Sequence, residues 1–171
     1  LLSHGRWFDD LWKLADMVRA GQDPFAGMER RIRISIIESL NRGYVKPGKI
    51  LVMGSSRHGF AVLHAMANTP VIDGAIAPQP IVYWPYMKEF HGMDDDPIIE
   101  KHSLYQWAER FVPRPVLIQT GYADKRVGSN WLQKLIDAMD TAYRTQGAEA
   151  SFCHDLMDLP GHDGTRIPDW A

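Results

Sequence analysis

Residues 50–60 read Ile50-Leu51-Val52-Met53-Gly54-Ser55-Ser56-Arg57-His58-Gly59-Phe60. A short apolar run ends in a turn between two glycines. A helical pattern follows at once, from Arg57 to about Asn68. The order is strand, sharp turn, helix, with a serine at the tip. Such a turn holds its serine in a strained backbone state at the carboxyl end of the strand. Neighbouring chain passes very close, so the residues two before and two after the serine are expected to be small. Gly54 meets that need and His58 does not. Ser55 is the rival for the tip, but it would put Met53 and Arg57 at the two crowded positions.

Outward from this stretch, size and charge set bounds. The chain has 171 residues, 45% of them hydrophobic, enough for one domain with a real core. A net charge of −2 offers no basic field for nucleic acid. The single cysteine, Cys153, excludes an internal disulfide framework and a multi-cysteine zinc site. It fits a cytoplasmic protein without requiring one. No run approaches the roughly 18 apolar residues of a membrane span. The sequence starts at Leu1 with no basic segment leading into an apolar one, so no signal peptide is read. An amino-terminal portion is expected to precede it, and the compartment is left open.

Residues 6–20 put Trp7, Leu11, Leu14, Ala15 and Val18 on one helical face, stopping near Gly21. Residues 21–25 read as loop. Residues 27–42 alternate like a strand over 31–36, yet Ile32, Ile36 and Leu40 share a helical face; length and the Asn41-Arg42-Gly43 stop favour helix. Ile50–Met53 reads as a buried parallel strand. Val71–Ile76 is a second strand, followed by an irregular aromatic loop over 81–96. Asp96-Pro97 reads as cap and first residue of a helix running through Ser103, Tyr105, Trp107 and Ala108. Val116–Thr120 is a strand, Asn130–Gln146 a helix, and residues 149–159 the last strand. Strands alternating with helices predict an α/β fold, a mostly parallel sheet with helices on both faces, over a single domain at 1–171.

This order puts Ser56, Asp124 and His162 after the carboxyl ends of three parallel strands, the edge where open parallel sheets carry chemistry. A serine hydroxyl needs a base to take its proton, and the base needs a partner that fixes its tautomer. Ser56, His162 and Asp124 fill those roles in turn. Asp163 and Asp137 are lesser candidates for the acid, and Asp124 has capping of the following helix as its structural alternative. His162 has a surface-loop alternative. His154, mid-strand, reads as structural.

With these residues the chain resembles the α/β-hydrolase superfamily, and more narrowly the dienelactone-hydrolase-like and prolyl-oligopeptidase-like serine hydrolases. Gly54-x-Ser56-x-x-Gly59 is close to the nucleophile-elbow pattern, and the order nucleophile, acid, histidine is theirs. Ser56-Arg57, the Gly-x-x-Asp-x-x-Val loop of Gly121–Val127 and the closing Pro160-Gly161-His162 match as well. The resemblance covers roughly residues 28–168. It implies hydrolysis through an acyl-enzyme, a carboxylic ester first and a peptide or amide second, with no cofactor. It implies that the Arg57 amide is one oxyanion donor. The substrate would be a small acyl compound or a peptide.

Two departures stand out. His58 occupies a position usually held by glycine, which requires either opened packing or a distorted elbow. Only four strands are found where a complete member has about eight, so the amino-terminal strands and a second oxyanion donor are expected upstream. A non-catalytic member, kept as a binding module, is the alternative from another class. Tyr83, Trp84 and Tyr86 line either a pocket over the site or the core, and His58 touches either substrate or packing. Asp94-Asp95-Asp96 reads as a solvated run before a helix, and His91 beside it makes no metal-ligand set.

Overall fold

The structure, a computed structural model, describes residues 10–157. Two amino-terminal helices come first. Helix α1, Leu11–Arg19, starts where the Asp10 carboxylate accepts from the amides of Trp12 and Lys13, and it buries Leu14, Ala15 and Val18. Helix α2 spans Pro24–Asn41. The alternating stretch 31–36 is thus helical, with Ile32, Ile36 and Leu40 turned to the core. It begins earlier than expected because Asp23 accepts from the amides of Phe25 and Ala26, with Pro24 as the first helical residue.

Four strands follow: β1, Leu51–Met53; β2, Gly74–Pro78; β3, Val116–Gly121; and β4, Phe152–Met157. They form one parallel sheet in the order β1-β2-β3-β4. Helix α3, Arg57–Asn68, packs on β1 and β2, and helix α5, Ser129–Thr145, packs on β3 and β4. Between β2 and β3 lies helix α4, Pro97–Lys101. This is the α/β architecture that the alternation of elements predicts.

Three segments differ from expectation. β2 lies further along than Val71–Ile76, because the chain is still turning at residues 69–72. The Asp73 carboxylate there accepts from the Ile50 amide at 2.7 Å and fixes the start of the β1–β2 pairing. The helix after Asp96 is two pieces, α4 and a 3₁₀ segment Leu104–Arg110, with His102 and Ser103 between them. The burial expected for β1 is not found: Leu51 is 62% and Met53 51% exposed, and only Ile50 before them is buried. Register puts Met53, Ile76, Leu117 and Cys153 on one face of the sheet, and Val52, Ala75, Val116 and Phe152 on the other, where α3 and α5 pack.

The core lies between that helical side of the sheet and α2. Its centre is aromatic. Phe25, Phe60, Trp84 and Phe90 meet at ring-centroid distances of 5.0–5.3 Å. Edge-on and tilted contacts of this kind add about 0.5–1.5 kcal/mol per pair beyond area burial. Trp84, 1% exposed, therefore sits in the core, the packing half of its two sequence readings.

Candidate active site

The turn after β1 has the strain that its sequence implies. Ser56 has φ 56° and ψ −122°, a region essentially reserved for glycine. Its surroundings enforce it. The Ser56 amide donates to the Pro78 carbonyl at 3.0 Å, and its own carbonyl accepts from Phe60 and Ile81 at 3.1 and 3.0 Å. The turn is thus tied to the end of β2 on one side and to the first turn of α3 on the other.

His58 is accommodated without distortion of the turn. A Cβ on Gly54 would come 2.5 Å from the His58 carbonyl oxygen and 3.0 Å from the His58 Cβ. A Cβ on Gly59 would come 2.9 Å from Pro80 Cα. The crowding falls on positions 54 and 59, both glycine, and the His58 side chain is exposed. The opened-packing alternative is therefore the one realised: Gly54 supplies the space that His58 uses.

Asp124 follows β3 by three residues and is 2% exposed. Its Oδ1 accepts from the amides of Arg126 at 2.8 Å and Val127 at 3.1 Å. Its own amide donates to Ser129 Oγ at 3.0 Å. The capping alternative fails, because the residue before α5 is Gly128 and the carboxylate bonds within its own loop. Two amides fix the orientation of the carboxylate, which is what an acid partner for a base requires. Ser56 and Asp124 both lie just past the carboxyl end of the sheet, after β1 and β3, with β2 between them. His162 lies outside the described residues, five positions beyond the end of β4 in sequence.

The loop between β2 and α4 closes over this edge. Tyr83 stacks on Trp131 at the start of α5, with ring centroids 3.7 Å apart. Its hydroxyl donates to the Asp94 carboxylate at 2.6 Å. Burial and that carboxylate push the Tyr83 phenol up to about 12. Asp96 caps α4, as read from sequence. Among the described residues no cluster of histidine, cysteine and carboxylate side chains fits a metal ion. No helix among them is long and apolar enough to cross a membrane. His154 bonds to Thr120 Oγ1 at 3.1 Å, the structural role expected of it.

Two features escaped sequence reading. Gln79, just after β2, is the other non-glycine residue with positive φ among the described residues, at 47°, and it is buried, its amide donating to the Gln119 carbonyl at 2.8 Å. The other is a chain of acid and histidines beneath α3. Asp23 and Lys101 pair at 3.0 Å, His102 Nε2 donates to Asp23 at 2.9 Å, and His102 Nδ1 lies 2.7 Å from His64 Nε2. An ionised carboxylate only accepts, so His102 carries its proton on Nε2 and accepts from His64 at Nδ1. Spacing along the sequence gives no sign of a contact between residues 23, 64 and 102.

Comparison with known proteins accords with this geometry. Residues 34–158 match the profile of the prolyl oligopeptidase family. A search of curated proteins found no match. The structure is similar to a puromycin-hydrolyzing peptidase from Mycobacterium tuberculosis, with TM-score 0.58 and 18% identity. That match covers 75% of this chain and 21% of the peptidase. It is similar to the acylaminoacyl peptidase of Pyrococcus horikoshii, with TM-score 0.61 and 18% identity over 75% of this chain and 22% of the other. A monoacylglycerol lipase from Paleococcus ferrophilus matches with TM-score 0.56 and 18% identity over 82% of this chain and 68% of that one. At these identities the likeness is one of fold, the α/β-hydrolase fold. The chain spans about a fifth of the length of the two peptidases.

Proposed function

Because the chain belongs to the prolyl oligopeptidase family, with residues 34–158 matching its profile, we propose that it is a serine hydrolase that cleaves an acyl bond through a covalent acyl-enzyme. Ser56 Oγ attacks the carbonyl carbon. His162 takes the hydroxyl proton and delivers it to the leaving group. Asp124, fixed by two amides, orients the imidazole and stabilises its charged form. The Arg57 amide, next after the nucleophile at the start of α3, faces the developing oxyanion. One such donor contributes about 3–4 kcal/mol in comparable sites. Water then attacks the acyl-enzyme with His162 again as base.

The observation that carries this reading is the Ser56 backbone, φ 56° and ψ −122°, held at the carboxyl edge of a parallel sheet. Strain of this kind costs on the order of 1–3 kcal/mol and persists only where the surroundings over-determine it. A serine that merely closed a turn has no use for it.

Family membership supports a peptide or amide as substrate; a carboxylic ester is the second reading, since one triad cleaves both and pocket walls decide. Tyr83 and the exposed His58 are proposed as walls of the acyl pocket. A fluorophosphonate probe on the full-length protein tests the chemistry. Labelling is expected at Ser56 and is expected to vanish in Ser56→Ala. An intact protein that takes up no probe would be a non-catalytic member of the fold. Labelling that survives the substitution would move the nucleophile elsewhere. Amide and ester substrates sharing one acyl group then separate the two readings by kcat/KM.

A further inference from the structure

We propose that Glu89 is a positioning residue for the acid loop, acting on Asp124 through Arg126; this rests on the reading of Asp124 as the triad acid. Arg126 bridges the two carboxylates. Its main-chain amide donates to Asp124 Oδ1 at 2.8 Å, and its guanidinium reaches Glu89 Oε1 at 3.2 Å. One residue thus ties the acid loop to the 83–90 segment, its main chain holding Asp124 and its side chain held by Glu89.

Glu89 is built into the fold as an anchor. Its side chain is 6% exposed, whereas that of Arg126 is 39% exposed. A carboxylate so buried is costly unless paired, and Arg126 is the cation it meets. Its main chain is held as well: the Glu89 carbonyl accepts from Arg19 Nη2 of α1 at 2.8 Å. The segment 83–90 touches the acid loop and its helix at two further points. Tyr83 stacks on Trp131, and Tyr86 lies where a Cβ on Gly128 would come within 3.1 Å of its ring. Nothing in that arrangement requires a buried charge for packing, since Tyr83, Tyr86 and Trp131 already join the two segments. The charge pair adds a directed contact at one of the two residues whose amides orient the acid.

The test uses the full-length protein and the rate of fluorophosphonate labelling at Ser56, a readout independent of the natural substrate. Glu89→Gln keeps the shape and removes the charge, and it is expected to slow labelling on the order of tenfold. Arg126→Gln is expected to do the same, and the double variant is expected to be no slower than either single one. The decisive comparison is the Asp124→Asn background. There Glu89→Gln is expected to have no further effect, because the group it positions is already disabled. A merely structural salt bridge would slow labelling by the same factor in both backgrounds, and that result overturns the proposal, as does wild-type labelling in Glu89→Gln. If Glu89→Gln does not fold, Arg126→Gln with and without Asp124→Asn carries the same comparison. Absence of labelling in the wild-type protein removes the serine-hydrolase reading and this proposal together. A labelled wild type with an unaffected Glu89→Gln removes this proposal alone.

Discussion

Helix α3 starts at one chemical arrangement and runs through a second. At its amino-terminal end Ser56 is strained and partly exposed, with φ 56°. Two turns further on, His64 is 0% exposed in regular helix and is bonded through His102 to Asp23. The second joins an acid to imidazoles from distant segments, yet the first is the one with the marks of chemistry. Strain at Ser56 is maintained by bonds to Pro78, Phe60 and Ile81. The Asp23–His102–His64 chain is unstrained and sealed by rings: Phe60 and Trp107 lie 5.4 and 4.8 Å from His64. Proximity of carboxylate and imidazole is thus not itself a sign of catalysis. What separates the two is access at a sheet edge and backbone energy stored there.

The widest separation between the two regions is expected from deleting their central groups. Ser56→Ala is expected to lower turnover by about a million-fold and to leave stability near that of the wild type. His64→Ala is expected to do the reverse. It empties part of the aromatic core and orphans His102 Nδ1, a loss of roughly 2–5 kcal/mol in stability, and the folded fraction labels at the wild-type rate. Denaturant unfolding and probe labelling on the same samples check both. A His64→Ala protein that is folded but unlabelled would make the buried chain part of the site.

Asp124→Asn comes next, with turnover falling by about ten-thousand-fold, since an amide cannot hold the base in the required tautomer. The two amides on Oδ1 remain available to the Asn carbonyl oxygen, so the loop is expected to keep its stability. A rate within tenfold of wild type would move the acid to another carboxylate. Gly54→Ala is expected to affect both properties. Its new methyl would lie 2.5 Å from a main-chain oxygen, which cannot yield as a side chain can. A loss of at least about 1–3 kcal/mol with loss of labelling is expected. Stability and labelling equal to wild type would show that the backbone of this turn is adjustable.

These residues also show what a sequence can and cannot reveal. The sharp turn was legible because crowding there demands glycine, and glycine is visible; helix α3 came out with its bounds as expected, Arg57–Asn68. His58 looked like a fault because the two-before, two-after rule treats both positions as crowded, while in space one glycine relieves both. Cap chemistry was legible at Asp96-Pro97 and equally present at Asp23-Pro24, where the surrounding Gly21 and Gln22 suggested a loop and hid the start of α2. The burial expected for β1 failed because an apolar run of three residues looks the same whether one face of the strand is covered or both; Leu51 and Met53 point to the face away from α3 and α5. Glu89, Gln79 and the buried histidines were missed for a deeper reason. Their roles depend on contacts across 37 or more positions, as between Glu89 and Arg126, and nothing periodic marks them.

The smallest expected effect concerns pH and isolates the buried chain from the edge. Desolvation holds His64 down at about 3, with the neighbouring His102 adding to it, and burial lowers His102 as well. At Asp23 burial acts upward but is outweighed by hydrogen bonds from His102, the Ala26 amide and Lys101, which bring it down to about 2. The signs agree. A histidine neutral in the folded state and basic in the unfolded one favours unfolding as pH falls below about 6.5, down to its folded value. The carboxylate contributes stability above about 3.8 and loses it on the way to 2. Between pH 6.5 and 5 the histidines act and Asp23 does not: His64 is expected to remove up to about 1.4 kcal/mol of unfolding free energy per pH unit, and His102 acts in the same direction. His64→Gln retains a donor for His102 Nδ1 but does not titrate, so it is expected to lower the slope by up to about 1.4 kcal/mol per pH unit, the share due to His64, while labelling at Ser56 stays within about twofold of wild type at neutral pH. Urea unfolding at half-unit pH steps measures it. An unchanged slope in His64→Gln would mean that His64 already carries its proton in the folded protein, and the buried chain would then be a charged relay, closer in kind to the edge than its burial indicates.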